Sequence, residues 1–159
     1  MRKLFLLFAI GLLSQITLGQ KTIVLTESDH GQLEAGSTFG FDPQPGDIIK
    51  VDVSRRKYIK ILGMEGTAEN PITIINEGGL VSIDASDGWG AIELKNCKHV
   101  IIDGSGDQSI KYGFKLEGKS AGLAFTELCS DIEVKNVEVA GVFTSGANHE
   151  YTFFGIYAK

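Results

Sequence analysis

Three groups of residues and a lone tryptophan have types and spacings that could do chemistry. His149, Glu150 and Tyr151 follow a glycine-bearing stretch in SGANHEY and set an imidazole beside a carboxylate and a phenol, which is the equipment for moving a proton near neutral pH. Asp84 and Asp87 in IDASDG, and Asp103 and Asp107 in IDGSGD, bring carboxylates together at short spacing, the hard oxygen donors that Ca²⁺ takes. Arg55, Arg56 and Lys57 form the only basic cluster after the leader described below. Trp89, the single tryptophan, sits in DGWG, a glycine-flanked loop from which an exposed ring could stack on a sugar face. The acidic loops, the His149 group and Trp89 each have a plainer reading as well, and it carries more weight. Aspartates at turns bond their own backbone, a His–Glu–Tyr run on a loop is ordinarily just a loop, and the indole can fold back over the protein wall. Neither acidic loop has the ligand set of an EF-hand, and no nucleophile elbow, phosphate loop, dinucleotide fingerprint or HExxH is present.

Cys97 and Cys129 are the two cysteines, and CKHVII at 97–102 matches CSDIEV at 129–134 in pattern. Each precedes a strand-like segment, at what would be one corner of a repeating fold. The sequence favours a buried pair of free thiols and leaves a disulfide open; no His or further Cys completes a zinc site.

The elements that must position these residues are short and repetitive. A pattern of apolar, any, apolar, any, then Asn or Gly occurs as IKILG at 59–63, ITIIN at 72–76, IELKN at 92–96, FKLEG at 114–118 and IEVKN at 132–136. Between the copies lie VSIDA at 81–85, VIIDG at 100–104 and VEVAG at 137–141. Period-2 alternation marks strands with one buried face. Two such strands in each period of about 20 residues, with turn residues at the corners, describe a β-solenoid. An up-and-down sheet would want tight Asn-Gly or Asp-Gly hairpins at most junctions, and only Asp87-Gly88 and Asp103-Gly104 occur. If the last three copies of the first series are adjacent rungs, Glu93, Lys115 and Glu133 form one outward column and Lys95, Glu117 and Lys135 the next. Both alternate in sign, which would select register. Gly63, Asn76, Asn96, Gly118 and Asn136 are then expected at a single corner.

Composition sets the remaining bounds. Hydrophobic residues make up 43% and charged residues 22%, and 20 glycines accompany 3 prolines, so the chain is neither disordered nor collagen-like. Fifteen basic against 20 acidic residues give a net charge of -5, with no basic surplus for a phosphate backbone, so nucleic acid is not an expected partner. Arg2 and Lys3 precede the apolar segment 4–13, and small residues lead to an expected cleavage after Gly19. Ten apolar residues are too few to cross a hydrocarbon core, which needs roughly 20, so 1–19 reads as a signal peptide. The expected location is secreted, cell-surface or periplasmic. Residues 20–57 then hold an N-terminal cap and the first strands, with 27–45 breaking the rung pattern, and 58–159 hold the rungs. YTFFGIYAK at 151–159 reads as the middle of another rung, which suggests the N-terminal part of a longer protein, with self-association possible through an open C-terminal end.

The segments GDIIKVD at 46–52, GTAENPITIINEGG at 66–79, NCKHVIIDGSGD at 96–107 and GLAFTELCSDIEVKNVEVAGV at 122–142 resemble right-handed parallel β-helix proteins of the pectate-lyase-like superfamily, in their exported Bacteroidetes-type form. The resemblance implies an all-β, right-handed parallel β-helix and polysaccharide as partner. It admits two functions: binding or presentation to extracellular polysaccharide without a complete active site in this stretch, or the N-terminal part of a lyase acting on uronic-acid glycans by β-elimination. In such a lyase a base takes the proton next to a carboxylate and a cation stabilises the charge that forms. With polysaccharide as the partner, the resemblance implies substrate contacts from Arg55 and Arg56 and Ca²⁺, if used, at Asp84, Asp87, Asp103 and Asp107, and the residue types add Trp89, His149 and Tyr151 as expected contacts.

Overall fold

A computed structural model describes residues 19–38, 40–85, 90–118, 121–141 and 156–158. Its strands form three sheets, and every strand pairing described is parallel. Sheet 1 contains β1 (Thr22–Leu25), β3 (Ile48–Asp52), β5 (Ile72–Glu77), β8 (Lys98–Asp103) and β11 (Ser130–Lys135). Sheet 2 contains β2 (Gln32–Glu34), β4 (Ile59–Leu62), β7 (Gly90–Lys95), β10 (Ala121–Thr126) and β13 (Ile156–Ala158). Sheet 3 contains β6 (Val81–Ala85), β9 (Phe114–Gly118) and β12 (Val137–Gly141). From β5 onward the chain visits sheet 1, sheet 3 and sheet 2 in rotation, so the fold is a parallel β-solenoid. Sheet 1 strands begin at 22, 48, 72, 98 and 130, giving successive turns of 26, 24, 26 and 32 residues. The expected two strands per 20 residues is thus corrected to three strands in a longer turn.

The core is a set of stacked columns. Ile49, Ile74 and Ile102 are register neighbours in sheet 1; Ile61, Leu94 and Phe125 in sheet 2; Ile83, Leu116 and Val139 in sheet 3. Ile49, Ile74, Ile102, Ile61, Leu94, Ile83 and Leu116 have no exposure, and each such side chain contributes roughly 1.5–3 kcal/mol when fully buried. Inward alternation is therefore what the sequence writes, strand by strand.

The charge ladder is not formed. Its three copies fall in β7, β9 and β11, which belong to three different sheets. A strand with one buried face writes the same pattern whichever sheet receives it. The observed partners are Lys60 with Glu93 at 3.2 Å and Lys135 with Asp103 at 3.7 Å, both across adjacent rungs, and Lys115 with Glu117 at 3.1 Å along one strand. The single Gly/Asn corner divides likewise. Gly63 and Asn96 do stack, joined by Glu127, through Gly63 N–H to Lys95 O at 3.0 Å and Asn96 N–H to Thr126 O at 3.2 Å. All three have left-handed backbones, with φ of 72°, 53° and 57°. Asn76 instead lies within β5, Gly118 ends β9 in sheet 3, and Asn136 follows β11 at a different corner. Within 27–45, residues Gln32–Glu34 are a rung strand paired to β4 rather than a departure from the pattern.

Candidate functional site

One member of the basic cluster turns inward, while Arg56 and Lys57 stay exposed. Arg55 is fully buried, and all five of its N–H donors meet main-chain carbonyls: Nε to Lys57 at 3.2 Å, Nη1 to Thr26 at 2.6 Å and Asp29 at 3.1 Å, Nη2 to His30 at 3.1 Å and Tyr58 at 2.9 Å. Residues 26–31 and 53–58 are the connections between sheet 1 and sheet 2 in the first two turns, on the side that sheet 3 occupies later. Both are loops, and the guanidinium fork joins one to the other where no strand pairing does. Burial pulls Arg55 below its ordinary pKa and is opposed by Glu27 and Asp29; the group stays cationic. Glu27 strengthens the joint by accepting from the main-chain N–H of Arg56 at 2.6 Å and of Lys57 at 3.1 Å, and these bonds hold its carboxyl below the usual range. Asp29 is lowered chiefly by the Thr26 N–H, with burial opposing. The expectation that Arg55 contacts a substrate is therefore corrected, since no donor remains for one. Arg56 is exposed, with Nη1 donating to Val53 O and Arg55 O.

The described aspartates stand apart as turn and strand residues. Asp103 Oδ1 accepts from Ser105 N–H at 3.0 Å and Asn136 Nδ2 at 2.8 Å. Burial opposes its ionisation, but those bonds and Lys135 outweigh it and hold the carboxyl below its ordinary value. Asp107 accepts from the Ser109 hydroxyl at 2.6 Å and N–H at 2.9 Å, which lower it. Asp84 lies on the outer side of β6, beside Glu117 in register. Among the described residues no three of His, Cys, Asp or Glu come together in a way that could hold a metal ion. Asp87, Trp89, His149, Glu150 and Tyr151 lie outside the described residues, as do residues 1–18 of the expected signal peptide at 1–19.

The cysteines do share a corner. Both are free thiols, and Cys129 Sγ lies 3.4 Å from the Cys97 main-chain nitrogen. Lys95 and Lys135, which the sequence places in an outward charge column, are paired, Lys95 with Glu127 at 2.7 Å and Lys135 with Asp103 and Glu133.

A surface that sequence reading passed over lies where the 104–113 connection enters sheet 3. Asn76 is buried inside this corner, donating to Gly79 O at 2.7 Å and accepting from Gly106 N–H at 2.8 Å. The loop glycines lie flat on the layer below or above. A Cβ on Gly113 would stand 2.2 Å from Gly104 O, and one on Gly104 only 2.0 Å from Asn136 O. This tightly seated loop presents Tyr112, 40% exposed, with Lys111 Nζ 4.7 Å from the ring centroid. Leu80, 47% exposed, adjoins it where Val81 N–H donates to Gly113 O at 2.9 Å. The outer face of sheet 3 continues through Ser82, Asp84, Lys115, Glu117 and Glu138. At the far corner of the same side Tyr58, 41% exposed, packs on Gly31, where an added Cβ would lie 2.7 Å from the ring. The arrangement offers apolar ring surface beside hydrogen-bonding groups, a combination suited to binding.

Among the described residues no helix is long and apolar enough to cross a membrane. In comparisons with known proteins, the chain matches no family model, no curated protein and no solved structure.

Proposed function

We propose that this protein is an exported parallel β-helix of the pectate-lyase-like kind that binds, or is presented to, extracellular polysaccharide along the outer face of its third side. The observation that carries this is Tyr112, an exposed ring on a loop held rigid by Gly104, Gly113 and buried Asn76, next to a row of polar outward side chains. A sugar ring offers an apolar C–H face and a rim of hydroxyls. Tyr112 suits the first, and Ser82, Lys115 and Glu117 suit the second. Sites on rigid elements lose less entropy on binding. The leader at 1–19 supports the extracellular location.

Affinity electrophoresis of the full chain through gels cast with a uronic-acid polymer or a neutral glucan tests it. Retardation in at least one polymer is expected, weakened at least several-fold in a Tyr112→Ala variant whose circular dichroism is unchanged. Equal retardation of that variant, or migration indifferent to every polymer, would reject the proposal.

A further inference from the structure

The two cysteines occupy equivalent places in successive turns. Cys97 Sγ points to Ile61 O at 3.6 Å and to Lys95 O at 3.4 Å, while Cys129 Sγ points to Leu94 O at 3.3 Å. Ile61 and Leu94 are themselves register partners, so both thiols face the same way, one rung apart. The main chain agrees: Ser130 N–H donates to Cys97 O at 3.1 Å just as Lys98 N–H donates to Met64 O at 2.9 Å, and Lys98 pairs with Ser130 in register. Adjacent rungs are about 4.8 Å apart, inside the Cα window of about 4.4–6.8 Å for a disulfide. The Cβ atoms need to close by about 1 Å to reach the usual separation of roughly 3.8 Å. The strand that would move has room to do so, because Ile132 and Val134 of β11 are only partly buried, whereas Val100 and Ile102 of β8 are fully buried.

We infer that Cys97 and Cys129 are a disulfide-forming pair, which on meeting a small-molecule or protein disulfide cross-links to clasp β11 onto β8. The half-buried Cys129 reacts first. Its thiolate attacks one sulfur of the oxidant, forming a mixed disulfide and releasing one thiol. Cys97 then gives its proton to solvent and attacks the Cys129 sulfur, releasing the second thiol. Two electrons pass to the oxidant, and the two protons end on its thiols. The order follows from access: Cys129 is half-buried, whereas Cys97 has no exposure and burial pushes its thiol up to about 11, so Cys97 is the resolving partner. An oxidising compartment, where an exported chain would reside, is where such bonds persist.

Incubation of the full chain with oxidised glutathione at mildly alkaline pH, followed by intact mass, non-reducing peptide mapping and urea unfolding, tests the pair. The expected product is a monomer lighter by two hydrogens, with one linked peptide containing Cys97 and Cys129 and a raised urea midpoint that a reductant returns to its starting value. Cys129→Ser should give no such mass loss or shift. Two alkylatable thiols after oxidation, cross-links between chains only, or a linked monomer whose midpoint falls would each overturn the inference.

Discussion

Replacing Arg55 with methionine, which keeps length and removes charge and donors, should unfold the first two turns from their third side. The guanidinium makes five bonds to the carbonyls of residues 26, 29, 30, 57 and 58. A hydrogen bond to a charged group contributes about 1.5–3 kcal/mol singly, but five on one side chain do not add. The loop carbonyls can also turn partly to water, and the variant escapes the desolvation cost of the charge. A net loss of about 3–5 kcal/mol is expected, as for two or three buried carbonyls left unsatisfied at about 1–3 kcal/mol each, against a typical total of about 5–15 kcal/mol. With a urea slope of about 2 kcal/mol/M, the midpoint should fall by about 2 M. Hydrogen exchange should locate the damage: amides of β1, β2 and 53–58 lose protection, while β7, β8 and β10 keep theirs. Arg55→Lys should recover little, because one ammonium has three donors and no fork to span five carbonyls. A loss below about 0.5 kcal/mol, the size of an ordinary surface substitution, or a uniform rise in exchange would refute the assignment of Arg55 as the joint between turns.

Other outcomes follow from the same contacts. Gly113→Ala should destabilise by about 1–3 kcal/mol, the range for overpacking, because the added Cβ meets Gly104 O at 2.2 Å and Asn76 Oδ1 at 2.3 Å; a thermal melt equal to wild type would contradict the tight seating of the loop. Asp29 and Asp103 have folded pKa values below the ordinary 3.8, so the unfolded chain binds more protons in the window beneath it. Their contribution is full above that value and disappears as pH falls through the lower folded ones. An Asp29→Asn, Asp103→Asn double variant should therefore show a shallower stability loss in acid, and parallel curves would count against the bonds described. Lys115→Glu should weaken the protein at low salt and less at high salt, and Glu138→Lys should recover it because Lys115 faces Glu138 in register. Recovery by Glu93→Lys instead would restore the ladder that the fold replaces.

Strand positions and inward faces were legible because one buried face forces period 2. Which strand stacks on which was not, because the connections differ too much in length. Two residues, 96–97, join β7 to β8, whereas ten, 104–113, join β8 to β9. Equal spacing therefore could not be used to align copies, and three look-alike segments went to three sheets. Arg55 was misread through its neighbours Arg56 and Lys57, although parity carried a signal: Ile49, Val51, Val53 and Arg55 alternate, and the inward series simply runs on into the loop. The cysteine corner was legible from matching CKHVII and CSDIEV segments. So was the turn use of Asp103 and Asp107, each with a serine two residues later to donate. Tyr112 gave no periodic sign; only the glycines of GSGDQSIKYG hinted at a loop pressed against backbone.

Polysaccharide binding along the third side is tested most directly by hydrogen exchange of the full chain with and without a polymer that retards it in gels. Added protection should concentrate in peptides covering 80–84 and 104–118, around Tyr112 and the outer face of sheet 3. Protection confined to the outer faces of sheets 1 and 2, or none despite retardation, would contradict it.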